Sequence, residues 1–164
     1  MVGAFEQVVS QLTLIMCFQS LILDMAGNVG TQSLAVTIRV LMDETLTGRQ
    51  KLELVCKEGR IGLLNGLILG AASCGVVGLY IMLFKAKTAA FAFGISGCIG
   101  VALLLAMAVS SIVGTCVPLL FKKLGVDPAV ASGPLITTLN DLTAVVAYYG
   151  LAWLLLINTF GFGA

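Results

Sequence analysis

Long apolar segments separated by short polar connections are the feature that most restricts what this chain can fold into. They occupy about residues 5–40, 61–84, 88–121 and 128–157 of the 164 residues. Each is long enough to cross a bilayer as a helix, which takes about 20 apolar residues. Only 10% of the residues are charged, whereas about a quarter are charged in a soluble domain. The sequence therefore predicts one domain, residues 1–164, that folds as an all-α polytopic membrane helix bundle with four long transmembrane helices.

The same composition excludes several classes of function. A net charge of +1 gives no reason to expect a nucleic-acid partner. No histidine is present, and the five cysteines stand singly without a CxxC pair, which disfavours a zinc or haem site. The lack of histidine and of a nucleophile–base pattern in the apolar segments also argues against an enzyme. The N-terminus lacks the features of a cleavable signal, so the first span is expected to insert and stay.

The polar connection at residues 42–60 sets the expected orientation. Leucines and charges mix too closely there for a span, so the segment is expected to lie at the membrane surface, with helix breaks at Gly48 and Gly59. It contains or adjoins five of the nine basic residues, namely Arg39, Arg49, Lys51, Lys57 and Arg60. By the positive-inside rule this connection is cytoplasmic, in a multi-pass protein of the plasma membrane.

Regularly spaced glycines on the two middle spans predict close helix packing. The first of these spans has consecutive GxxxG steps and the second has a small-residue face, formed by Gly62, Gly66 and Gly70 and by Gly94, Gly97 and Gly100. Because a structural role explains these residues, the first and last spans are the functional pair.

The last span, which Asp127 and Pro128 are expected to open, carries an acid in the middle of its apolar sequence. An ionisable side chain near the bilayer centre costs about 2.5 to 3.5 kcal/mol on insertion scales, so Asp141 is expected to face a water-filled path or a partner. In a helix, one face would comprise Pro134, Thr137, Asp141, Ala144 and Tyr148. This face is predicted to be a pore wall, with the Thr137 hydroxyl on the approach to the carboxylate.

A second polar stripe lies in the first span. In a helix, Ser20, Asp24, Asn28 and Gln32 recur at every fourth position, with Gly27 and Thr31 beside them. The stripe is a second candidate pore wall, although polar side chains of this kind also join helices by hydrogen bonds. Gly27 and Gly30 permit a close backbone approach, or a kink that turns carbonyl oxygens towards a cation.

Three segments resemble the membrane domain of MgtE-type magnesium channels: DMAGNVGTQSL at 24–34, KEGRIGLLNG at 57–66 and LGVDPAVASGPLITTLNDLTAVVAYY at 124–149. The resemblance covers about residues 5–157. It implies a homodimer of five-helix subunits, with a magnesium-selective pore on the two-fold axis lined by the family's second and fifth helices. The first and last spans of this chain correspond to those two helices. The family's first membrane helix and its cytoplasmic sensor domains have no counterpart in these residues.

The resemblance also assigns site residues. Asp141 falls on the acid whose carboxylate engages hydrated magnesium, and Gly27 and Asn28 fall on the family's Gly-Asn pair. Two positions depart from the family, because Ala26 stands where glycine is usual and Asp24 replaces a residue that is commonly small. Asp24 would then add a second anionic layer. The predicted metal site comprises Asp141, Thr137, Gly27, Asn28, Thr31 and Asp24.

The chemistry of magnesium agrees with a site of this kind. The ion binds oxygen, retains several waters and enters protein sites through one or two carboxylates. Two Asp141 carboxylates on a two-fold axis would repel each other unless a divalent cation lay between them. The sequence thus predicts a channel that conducts hydrated Mg2+, its permeant ion, through a dimeric pore in the lipid bilayer. The alternative is a proton- or sodium-coupled divalent cation transporter, in which Asp141 and Asp24 change protonation.

Overall fold

The fold is a bundle of long helices. The computed structural model describes residues 13–43, 46–130 and 133–154, with side chains from Met16 onward. The helices are α1 (Thr13–Asp43), α2 (Gly48–Phe84), α3 (Ala89–Lys123) and α4 (Gly133–Leu151), and a short 3-10 helix at Pro128–Val130 precedes α4. No strand occurs in the three described ranges. The predictions of an all-α fold and of four long helices are therefore confirmed.

Two of the described helices, α2 and α3, are long and apolar enough to cross a membrane. The other two, α1 and α4, contain the polar residues on which the functional predictions rest. That all four helices span the bilayer stays a prediction.

The second helix begins earlier than the sequence predicts, because a capping box starts it. The Thr47 hydroxyl accepts a hydrogen bond from Gln50 N at 3.4 Å, and the Gln50 side chain accepts one from Thr47 N at 2.8 Å. The helix then passes through Gly59 without interruption, so the predicted break there is wrong. A helical glycine costs about 1 kcal/mol relative to alanine, but Gly59 is buried against Ile112, and packing offsets that cost. Glu58 is also buried, at 3% exposure, where the sequence suggests a surface connection.

The glycines of α2 let it pack directly on the backbone of α3. A methyl group on Gly66 would lie 2.6 Å from Leu104 Cα, and one on Gly70 would lie 2.6 Å from the Gly100 carbonyl oxygen. Non-bonded atoms do not approach that closely, so a larger residue at either position would force the two helices apart. The prediction of a packing ridge on α2 agrees with this geometry. On α3, in contrast, a methyl group on Gly97 would meet open space.

The third helix lies at the centre of the bundle and contacts the other three. Its buried side chains form much of the core, among them Ile95, Ile99, Leu103 and Met107. Polar contacts join it to α1: the Ser110 hydroxyl donates to the Ala26 carbonyl oxygen, the hydroxyls of Ser33 and Ser111 are 2.8 Å apart, and Lys122 Nζ donates to the Leu41 carbonyl oxygen. The fourth helix packs against both α1 and α3. This packing brings the two polar helices side by side.

The connection from α3 to α4 differs from the prediction. Asp127 accepts a hydrogen bond from Ala129 N at 2.9 Å and so starts the short 3-10 helix. The fourth helix itself begins at Gly133 and not at Pro128. Residues 131–132, the start of the predicted first span and the end of the predicted last span from residue 155 onward lie outside the described residues.

Candidate metal-binding groove

An open groove of about 610 Å³ lies between α1 and α4. Ten residues line it: Met16, Gln19, Ser20, Leu23, Asp24, Gly27, Asn28, Thr31, Thr137 and Asp141. All six residues of the predicted metal site are among them. The structure thus brings two polar stripes from opposite ends of the chain to one place. That these residues bind a metal stays a prediction.

The groove forms where α1 and α4 come close together. A methyl group on Gly27 would lie 3.8 Å from the Thr137 methyl carbon, so Thr137 packs over a part of α1 that has no side chain. The first helix runs without a break through Gly27 and Gly30. One turn further along α4, the half-buried Asp141 faces the same groove as the exposed Asp24. Carboxylates from two helices therefore share one space.

Three neutral polar side chains of the groove, Asn28, Thr31 and Thr137, donate hydrogen bonds to neighbouring atoms. The Thr31 and Thr137 hydroxyls each donate to the carbonyl oxygen four residues earlier in their own helix, both at 2.9 Å. The Asn28 amide donates from Nδ2 to Asp24 Oδ2 at 3.3 Å. These groups leave oxygen lone pairs for the groove, beside the lone pairs of the two carboxylates. The polar surface of these side chains is therefore rich in hydrogen-bond acceptors.

The carboxylates of the groove do not form a closed cage for a metal. Within the ranges that the structure describes, no three side chains of the His, Cys, Asp or Glu type lie close enough together to hold an ion. The described part of the chain thus provides the two carboxylates of Asp24 and Asp141, together with a few neutral oxygens. Such a set suits an ion that keeps much of its water.

Parts of the two predicted pore-wall faces lie elsewhere. Ala144 and Tyr148 have no exposed surface and belong to the core, so the prediction that they line a pore is wrong. Pro134 and Gln32 are exposed but do not line the groove. Each step of four residues turns the side chain by about 40° around a helix, since successive residues are about 100° apart. The i+4 stripe of α1 therefore leaves a straight groove before it reaches Gln32. Asp141 and Tyr148 are seven residues apart and differ in direction by only about 20°, so the burial of Tyr148 comes from the packing of α4 against its neighbours.

Four residues line the groove outside the predicted metal site: Met16, Gln19, Ser20 and Leu23. Gln19 accepts a hydrogen bond from the Tyr149 hydroxyl at 2.6 Å, which joins α1 to α4 beside the groove. Ser20 belongs to the polar stripe that the sequence predicts as a second pore wall. The other three precede Gly27 by four, eight and eleven residues, so the helical period was the signal that could have identified them.

A helical bundle with two described helices of membrane length and a doubly acidic groove is the architecture expected of a membrane protein with a cation site. The chain is also similar to known proteins over most of its length. The family MgtE, described as divalent cation transporter, matches residues 19–151. The chain belongs to this family, which confirms the resemblance found in its motifs. The family is one of transporters and not of enzymes, as the sequence predicts.

Three relatives are each named magnesium transporter MgtE. The protein of Enterococcus faecalis is 38% identical over 152 residues, which are 93% of this chain and 32% of the relative. That of Bacillus subtilis is 34% identical over 151 residues, 92% of this chain and 32% of the relative. That of Thermus thermophilus is 34% identical over 155 residues, 93% of this chain and 32% of the relative. The chain thus spans about a third of the length of the curated relatives it matches.

Proposed function

We propose that this chain forms the pore of a magnesium channel, which conducts hydrated Mg2+ across the plasma membrane between α1 and α4. The observation that carries the proposal is the groove, in which Asp24 and Asp141 face one space lined with hydrogen-bond acceptors. The names of the relatives, which are called magnesium transporters, support the choice of ion.

A groove lined with acceptors suits a hydrated cation. Magnesium dehydrates reluctantly, so it is usually recognised with several waters in place. Those waters turn O–H groups outward, and O–H groups need acceptors such as the Asp141 carboxylate or the hydroxyl oxygens of Thr31 and Thr137. Recognition through water also holds the ion loosely enough to release it, which conduction requires.

The volume of the groove agrees with recognition of a hydrated ion. Six waters at about 30 Å³ each give a hydrated ion of about 180 Å³. The groove measures about 610 Å³. The volume of the groove therefore exceeds that of the ion with its whole inner shell of water.

A second copy of the chain completes the pore in this proposal. The groove is open, and across a two-fold axis a partner would supply the facing wall with the same residues. The carboxylates of Asp24 and Asp141 from both protomers would then surround one path. Like charges in one space resist ionisation unless a cation compensates them. A divalent ion in the path would thus stabilise the site, and the four helices of each protomer would span the bilayer around it.

One flux experiment tests the proposal against the coupled transporter, which would use the same two acids. The full chain is reconstituted into liposomes that contain a magnesium-sensitive dye, and Mg2+ uptake is followed with and without proton and sodium gradients. A channel admits Mg2+ down its own gradient alone. Uptake that requires a proton or sodium gradient would establish the coupled transporter instead. Absence of uptake under every gradient would overturn both.

A further inference from the structure

Asn140, the residue before Asp141, is a buried amide without hydrogen-bond partners. Its exposed fraction is 1%, and neither Nδ2 nor Oδ1 has a partner among the residues that the structure describes. A buried polar group without a partner lowers the stability of the fold. An apolar side chain would avoid that cost, so stability alone does not explain an asparagine at this position.

The amide rests on a part of α1 that has no side chain. A methyl group on Gly30 would collide with Asn140 Nδ2 and would lie 2.6 Å from Ser110 Oγ. Ser110 is held in place because its hydroxyl donates to the Ala26 carbonyl oxygen. The position of α1 is fixed in turn by Gly114 of α3, where a methyl group would collide with the Gly30 carbonyl oxygen. Asn140 is thus enclosed where α1, α3 and α4 meet.

The packed position of the Asn140 side chain also determines the direction of the Asp141 side chain. Consecutive residues lie about 100° apart around a helix, so fixing the direction of one side chain fixes that of the next. With the amide of Asn140 over Gly30, Asp141 faces the groove. A rotation of α4 that moved the amide would turn the Asp141 carboxylate away by the same angle.

We infer that Asn140 is a positioning residue for the groove, whose amide sets the rotation of α4 and thereby the direction of Asp141. The inference rests on the proposed function, because it gives Asn140 a role in magnesium recognition through Asp141. The competing explanation is packing alone, in which the side chain only fills space. Packing affects the stability of the fold, whereas positioning affects the Mg2+ concentration at which uptake is half-maximal.

The test compares Asn140→Leu and Asn140→Ala with the parent and with Thr138→Val, in proteoliposomes made from the full chain. The leucine keeps the branching of the side chain without its polar atoms, and the alanine removes the amide without adding bulk. The control makes a similar polar-to-apolar change on the exposed side of the same helix. Positioning raises the half-saturating Mg2+ concentration about tenfold in both Asn140 variants, the effect of misdirecting one charge-assisted hydrogen bond. The control keeps the value of the parent.

Thermal unfolding of each variant is measured beside uptake. A parent-like half-saturating concentration in either folded Asn140 variant overturns the inference, whatever happens to stability. A rise in that concentration with the maximal uptake rate retained, and with Thr138→Val unchanged, supports it. Failure of the proposed function is recognised separately, because then the parent takes up no Mg2+ or Asp141→Asn leaves uptake unchanged.

Discussion

Replacing Asp141 by asparagine is the most direct test of the groove. The change deletes one negative charge and keeps the size of a side chain that is half-buried against α1. The fold should survive, since no hydrogen bond of the Asp141 side chain joins it to another described residue. Binding of a hydrated divalent cation should weaken, because an amide attracts it far less than a carboxylate does.

The size of the effect follows from charge and distance. A carboxylate oxygen that accepts a hydrogen bond from a coordinated water lies about 4.5 Å from the ion, given an ion–oxygen distance of about 2.1 Å and a hydrogen bond of about 2.7 Å. At that distance in water, a divalent ion and one carboxylate attract each other by about 1.8 kcal/mol. The groove is open, so the value for water is the appropriate lower bound. Losing it raises the half-saturating Mg2+ concentration about twentyfold.

The assay is Mg2+ uptake into liposomes over a wide range of external Mg2+, with the amount of folded protein matched by gel filtration. Asp141→Glu should retain part of the uptake, because it keeps the negative charge but places the carboxylate on a longer side chain. Glu53→Gln is the matched control, since it removes an exposed charge that pairs with Arg49 at 3.0 Å, outside the groove. If Asp141→Asn and Glu53→Gln both behave like the parent, the groove is not the permeation path.

Three further predictions concern charge, packing and assembly. Asp24→Asn and Asp24→Gly should raise the half-saturating Mg2+ concentration at low ionic strength and less at high ionic strength; identical curves at every salt concentration would remove Asp24 from the path. Gly66→Ala should lower the free energy of unfolding by about 1–3 kcal/mol, measured by thermal unfolding, because the new methyl group meets the backbone of Leu104 at 2.6 Å. The control Gly75→Ala should leave that free energy unchanged, because its methyl group meets nothing within 4 Å. The protein should have the mass of a dimer in detergent by light scattering, and a monomer that retains uptake would contradict the proposed pore.

The composition of the groove follows from the sequence because polar side chains recur at helical spacing inside apolar segments. Asp24, Asn28 and Asp141 could be selected in this way without any knowledge of packing. The extent of the groove could not, since it depends on where the helices approach each other. Tyr148 shares a face of α4 with Asp141 in the sequence pattern, but it packs into the core. The direction in which α4 crosses its neighbours decides this, and that direction is a property of the whole bundle.

In α2, contacts between distant parts of the chain outweigh the local sequence preferences. Gly59 is a poor helix former, and the charges around it suggest a surface connection. Both features are local, whereas the contact of Gly59 with Ile112 joins residues that are far apart in the chain. Tertiary packing therefore overrides a preference of about 1 kcal/mol. Tertiary packing also explains why the neighbouring Glu58 is buried.

The contacts between α1 and α3 have a consequence for how the groove changes its width. They occur at successive levels of the bundle, at Ala26 with Ser110, Gly30 with Gly114, Ser33 with Ser111 and Leu41 with Lys122. We expect two helices joined at so many levels to move together as one wall. The opposite wall is the single helix α4, which contacts α1 through Asn140 and Tyr149. Any widening or narrowing of the groove that preserves the α1–α3 contacts is therefore a displacement of α4, and it carries Asp141 with it.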